Sequence, residues 1–198
     1  LIGLVGSEMC IRDRFYRKKK GLSMQAVKEV FSWIVLSVLA VFLAFMVIWA
    51  VGLRTNMIGV SMEPGLTNGQ GSLVNRLKYR FFSPQTGDVV VFLPNGNQNA
   101  HYYVKRVVAV PGQTVLIQNG ILYIDGKAQE NEEMDLIASA GIAENEIKLG
   151  RDEYFVLGDN CNNSEDSRSA NVGPVLRSTI VGEAWFHFGN GTDGWGLI

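Results

Sequence analysis

Residues Val30 to Leu53, VFSWIVLSVLAVFLAFMVIWAVGL, contain no charged side chain. As an α-helix, these 24 residues extend roughly 36 Å, enough to cross a hydrocarbon core of about 30 Å with some tilt. The competing reading is a cleaved secretory leader. A leader's apolar core runs about 7–15 residues and ends at a small-residue cleavage site. This run is longer, and the following WAVGLRTN is a poor Ala-x-Ala site. The sequence therefore predicts a retained transmembrane helix over 30–53, with Trp33 and Trp49 near its ends, where interfacial aromatics gather.

Charge is distributed unevenly around this segment. Residues 1–29 carry seven Lys/Arg against three Asp/Glu, and residues 54–198 carry eleven against sixteen. With the basic RKKK cluster before the helix, residues 1–29 read as a cytoplasmic tail and residues 55–198 as an extracytoplasmic domain of a single-pass protein of the cell membrane. The acidic outer part argues against a nucleic-acid partner and leaves the lipid bilayer to account for the basic cluster. Residues 1–14, LIGLVGSEMCIRDR, begin without Met and have no continuity with that cluster, which raises the expectation that they are not native. Cys10 and Cys161 would lie on opposite sides of the membrane and cannot pair within one chain. Two Cys and two His, widely scattered, have no metal-ligand spacing. No disulfide, metal or cofactor is expected, and nothing sets the oligomeric state.

The outer segment is punctuated like a β protein. SPQTGD precedes the apolar, β-branched run VVVFLP, and HYYVKRVVAVPG is another strand-length stretch. TVLIQNGILYIDGK reads as two strands joined at Asn119-Gly120, with a further turn at Asp125-Gly126. Residues 129–150 are acidic and Ala-rich and read as a surface excursion with a short helix. EYFVLGDN resumes a strand, and STIVGEAWFHF reads as a last strand pair with a bulge at Gly182. The expected fold class is mainly β: an antiparallel sheet domain anchored by one N-terminal transmembrane helix.

Three stretches can carry chemistry. In MIGVSMEPGL, Ser61 is either a turn residue or a nucleophile just outside the membrane. A serine nucleophile needs a base within hydrogen-bond reach and donors for the developing oxyanion. His101 and His187 read as surface or structural residues, which leaves lysine as the base. Lys105 lies in the apolar strand YYVKRVVAV, where burial can lower its pKa by several units. Alternation turns either Lys105 or Arg106 inward and does not say which. GDNCNNSEDSR, residues 158–168, is rich in turn formers, and in it Asp166 and Arg168 can pair while Ser164 bonds a polar neighbour.

Taken together and in order, GVSMEPGL, GDVVVF, YVKRVVAVPG and GDNCNNSEDSR resemble the four sequence boxes of type I signal peptidases, over roughly residues 15–190. The closest form is the short one with a single transmembrane helix, usual in Gram-positive bacteria. The resemblance implies a membrane-bound serine endopeptidase that cleaves signal peptides from exported preproteins after an Ala-x-Ala-like motif. Ser61 would be its nucleophile and Lys105 its general base. Ser164 would orient the lysine amine, and Asp166 and Arg168 would hold the loop that presents it. The Ser61 N–H would be one oxyanion donor. Gly59, as in many Gram-positive members, stands where some members carry a serine that supplies a second. Met57, Met62, Leu66, Tyr103 and Val104 would wall shallow pockets for the small first and third substrate residues before the cut (P1 and P3). The chain departs from the usual boxes at Gly65, Gln70 and Ala109, none of them a reacting group.

Two rivals remain. Another type of Ser–Lys protease, such as a self-cleaving repressor, fits poorly with a transmembrane helix and no DNA-binding region. An anchored, non-catalytic peptide-binding β-domain fits poorly with an intact Ser61, Lys105 and Ser164.

Overall fold

The computed structural model describes residues 23–51, 53–56, 58–96, 101–129, 136–189 and 194–198. The chain divides into two compact units, residues 1–45 and 46–198. Helix α1 (Met24–Val51) starts well before the apolar run, because Met24–Glu29 are mostly good helix formers behind an N-cap. The Ser23 Oγ accepts the Ala26 N–H at 3.2 Å. Its stretch Met24–Trp49 is long and apolar enough to cross a membrane. The helix ends at Val51, short of the expected Leu53. Leu53 instead opens strand β1, a change of backbone that hydropathy does not register.

The second unit is built from β1 (Leu53–Asn56), β2 (Gly71–Asn75), β3 (Val89–Phe92), β4 (Tyr103–Ala109), β5 (Thr114–Gln118), β6 (Ile121–Ile124), β7 (Lys127–Ala128), β8 (Ile147–Lys148), β9 (Glu153–Leu157), β10 (Val175–Leu176), β11 (Ile180–His187) and β12 (Gly196–Leu197), with a short helix α2 (Lys78–Phe81). The larger sheet runs β1-β2-β11-β3-β4-β9-β10, with β12 on β11. The smaller runs β7-β6-β5-β8. All of these pairings are antiparallel.

Strand β3 is buried along its whole length, which is why VVVF lacks polar alternation. One of its faces packs Val89 and Val91 with Met62, Leu66, Val74 and Val104. The other packs Val90 and Phe92 with Tyr79, Val107 and Val156. The smaller sheet has its own core of Val115, Ile117, Leu122 and Ile124 against Phe155 and Leu157. Asn119-Gly120 and Asp125-Gly126 both have two successive positive φ values, the geometry of type I′ hairpin turns.

Two expectations change in detail. STIVGEAWFHF is not a strand pair but one strand, β11, whose register shifts between Ile180 and Gly182 and again between Ala184 and Phe186. Residues 129–150 are not merely a surface excursion. Ile137, Ala143 and Leu149 are buried in the smaller sheet's core, at intervals too wide to show as a helix or strand period. Among the described residues of this stretch, the helical part is a single 3-10 turn, Gly141–Glu144.

Candidate active site

Ser61 lies in the turn-rich segment between β1 and β2. Met62 and Leu66 are fully buried and are tied by the Leu66 N–H to the Met62 carbonyl at 2.7 Å, so they pin the segment into the core beneath the serine. Lys105 lies in the middle of β4, directly opposite Val90 of β3. The Lys105 Nζ is 2.7 Å from the Ser61 Oγ, and the two residues are only 4% and 9% exposed. Burial pulls the lysine pKa down from 10.5 to about 8, against the opposing pull of Asp166, Glu165 and Asp159. Near neutral pH the amine is therefore close to the balance at which it can accept a proton.

Alternation along β4 puts Arg106 on the other face. There its Nε and Nη2 donate to the Asp159 carboxylate at 2.8 Å each, and its Nη1 donates to the Gly87 carbonyl. Pairing between β4 and β9 begins at Arg106 opposite Leu157. The β4 edge at Tyr103–Lys105 therefore has no strand partner on that side among the described residues.

After β9 the chain turns at Gly158 into the loop that closes the site. The Asn160 N–H donates to the Ser61 carbonyl at 3.1 Å, joining this loop to the serine's own backbone. Asp166 receives the Gly158 N–H at 3.2 Å and the Arg168 Nε and Nη2 at 2.8 and 2.9 Å. Arg168 also donates to the carbonyls of Cys161 and Ser139. At the loop's end Ser167 is zipped to Val156 by two hydrogen bonds, 3.0 and 3.1 Å. Asp166 and Arg168 are thus placed to hold the loop. Cys161 is a free, buried thiol.

Ser164 differs from its expected role. Its buried Oγ has no hydrogen-bond partner, Lys105 included. It packs instead against Gly158, where a Cβ would overlap the Ser164 Oγ and the Ser61 carbonyl. Gly158 is a site residue that the sequence did not single out, since glycine in a turn-rich loop has a ready local explanation. The Ser61 N–H donates no hydrogen bond among the described residues, as an oxyanion donor requires. The Gly59 N–H donates to the Asn68 side chain at 2.9 Å, and its backbone sits at φ +93°. Gly59 therefore offers neither a hydroxyl nor a free N–H as a second donor.

A cleft of about 320 Å³ opens over Ser61 and Lys105. Tyr103 and Val104 line it. Met62 and Leu66 do not: both are fully buried beneath it. Periodicity could not tell a pocket wall from the core in so irregular a segment. Met57 lies outside the described residues. Ile58, Val60 and Tyr102 supply the remaining apolar wall, with His101, Asn163 and Glu165 as polar lining. His187 is remote from this chemistry, its Nδ1 being 2.7 Å from the Gln70 amide. Among the described residues no cluster of His, Cys, Asp or Glu could hold a metal ion.

A hydroxyl hydrogen-bonded to a buried amine, beside an open strand edge, is an arrangement that can support serine hydrolysis with lysine in place of histidine. The family model for signal peptidase, peptidase S26, matches residues 30–188, and the chain belongs to that family. Signal peptidase IB of Staphylococcus aureus is 32% identical over 183 residues, covering 81% of this chain and 90% of the relative. The probable signal peptidase I-1 of Synechocystis sp. is 36% identical over 134 residues, covering 65% of this chain and 66% of that one. A crystal structure of a signal peptidase I from Enterococcus faecalis aligns with 25% identity and a TM-score of 0.43, over 52% of this chain and 97% of that one.

Proposed function

We propose that this chain is a membrane-anchored serine endopeptidase that removes N-terminal signal peptides from exported preproteins after an Ala-x-Ala-like motif. Family membership and the relatives' names support the substrate class. The observation that carries the mechanism is the 2.7 Å contact between the Lys105 Nζ and the Ser61 Oγ at the floor of the cleft.

The steps follow from that contact. An extended substrate strand adds to the free β4 edge at Tyr103–Lys105, with backbone hydrogen bonds giving affinity and alternate side chains giving selection. Neutral Lys105 takes the Ser61 proton as the Oγ attacks the scissile carbonyl carbon. The Ser61 N–H faces the oxygen that becomes negative. The tetrahedral intermediate collapses, the C–N bond breaks, and the Lys105 ammonium returns its proton to the departing amine. The signal peptide is left as an ester on Ser61. Lys105 then removes a proton from water, which attacks the ester carbonyl and frees the serine.

The walls near Tyr103 and Val104 select small side chains by excluding larger ones. Helix α1 holds the enzyme in the bilayer with its N-terminus in the cytoplasm, the basic cluster supporting that orientation. Confinement to the surface where preproteins emerge raises the effective concentration of substrate.

The test is to incubate the detergent-solubilised chain with a preprotein carrying Ala-x-Ala and to determine the new N-terminus by mass spectrometry. The proposal expects one cut directly after the motif. No cut, or cuts scattered along an unfolded region, would overturn it.

A further inference from the structure

The cleft carries a charge that the cleavage chemistry leaves unused. Three carboxylates act on Lys105: Asp166, Glu165 and Asp159. Asp166 is paired with Arg168 and Asp159 with Arg106. Glu165 has no cationic partner among the described residues. Its Oε2 accepts the Tyr103 hydroxyl at 3.1 Å, and its Oε1 accepts the Asn171 amide at 3.5 Å. The side chain is exposed to solvent and lines the cleft. It is the only carboxylate among the described lining residues, where the other groups able to carry charge are Lys105, His101 and two tyrosines.

Tyr103 ties this carboxylate to the reacting centre. The Lys105 Nζ lies 5.7 Å from the centre of the Tyr103 ring, and the hydroxyl of the same ring reaches Glu165. The charge is therefore tethered to β4, the strand whose free edge receives the substrate in the proposed mechanism. Neutral donors localise a carboxylate without cancelling its charge, so it still attracts a cation that enters the cleft. In an extended substrate successive side chains point to opposite sides. With P1 and P3 turned into the small-residue pockets, P2 and P1′ project from the solvent side of the substrate strand, where a long lysine or arginine stem can reach the exposed Glu165 carboxylate.

From this arrangement we infer that Glu165 is a specificity-determining residue: it favours substrates with lysine or arginine beside the small P1 residue, at P2 or P1′, and disfavours aspartate or glutamate there. The inference rests on the proposed peptidase activity. It assigns to this cleft a sign of charge, which size selection at P1 and P3 does not supply.

The test uses two sets of peptides that share one Ala-x-Ala motif. One set carries Lys, Gln or Glu at P2, the other carries the same three at P1′. The ratio of kcat/KM for the Lys and Glu peptides is measured for the native chain, Glu165→Gln and Glu165→Lys. Because the ratio is taken within one enzyme, a common loss of active protein cancels. The expected native ratio is about three- to tenfold in favour of Lys in one set, the range of a partly exposed charge contact. It should fall towards unity in Glu165→Gln and in high salt, and reverse in Glu165→Lys. An unchanged ratio across all three enzymes overturns the inference while leaving the peptidase reading intact. If both variants are inactive, the native salt series decides, and a salt-independent ratio overturns it. Failure of the native chain to cut any peptide overturns the peptidase reading and this inference together.

Discussion

Arg106 and Asp159 form a two-point ion pair across the face of β4 opposite Lys105, with both N–O distances at 2.8 Å. Two adjacent basic residues in one strand thus have separate fates. Arg106 is neutralised and holds structure, while Lys105 is buried without an anionic hydrogen-bond partner and meets Ser61. Arg106→Ala should lower stability by about 1–2 kcal/mol, the scale of a charge-assisted hydrogen-bonded pair that is partly exposed. Urea unfolding of the native chain and the variant checks this. An unchanged midpoint would count against a structural role.

The pH dependence follows from the lysine. In the proposed mechanism the reactive form is the neutral amine, and burial lowers its pKa to about 8. The value of kcat/KM should rise tenfold per pH unit below that value and level off above it. A profile that is flat through this range would be inconsistent with a lysine base.

The same shift has a stability consequence. Lys105 is less basic folded than unfolded, so between about pH 8 and 10.5 the unfolded chain binds more protons and stability rises with pH. The contribution is fully present above 10.5 and is lost as pH falls through the folded value of about 8. At pH 7 the native chain therefore bears the cost of a buried amine. Lys105→Met should be more stable there, by on the order of 1–3 kcal/mol, while inactive. Thermal unfolding across pH would show the two curves converging on the alkaline side.

The loop behind the serine depends on a buried ion pair. The Arg168 and Asp166 side chains are 8% and 0% exposed, so deleting either strands a charge. Arg168→Ala should cost about 3–5 kcal/mol and abolish activity through the displaced loop. Calorimetry on the variant is the check, and a native-like melting temperature would show that the pair does not hold the loop.

Gly158 is predicted to be intolerant for a steric reason. A methyl group there overlaps both the Ser164 Oγ and the Ser61 carbonyl. Gly158→Ala should lower kcat/KM by about a hundredfold, the scale of a small displacement of a reacting group, while its far-UV circular dichroism stays native-like. Native rates from this variant would mean that the loop moves aside freely.

How much of this was legible in the sequence depends on the scale of the feature. The membrane-length helix and the two Asn-Gly and Asp-Gly hairpins are set by local physics, hydropathy and positive φ, and they appear where expected. The helix end was not legible, because Leu53 is equally apolar in a helix or a strand. Ser61 and Lys105 came from a resemblance of ordered boxes, since alternation alone could not choose between Lys105 and Arg106. The choice is made by Asp159, distant in sequence and supplied by the loop after β9. Met62 and Leu66, which the resemblance implies as pocket walls, are core anchors, because burial in an irregular segment follows from tertiary packing rather than spacing. Glu165 and Gly158 matter only through neighbours brought together from three parts of the chain.

The central claim is that Ser61 and Lys105 together perform the cleavage, and one side-by-side kinetic measurement tests it most directly. The native chain, Ser61→Ala and Lys105→Ala are each solubilised and given the same Ala-x-Ala preprotein, with folding checked by circular dichroism. Each variant should lose at least about a thousandfold in kcat/KM. Cleavage that survives either substitution at near-native rate would contradict that claim.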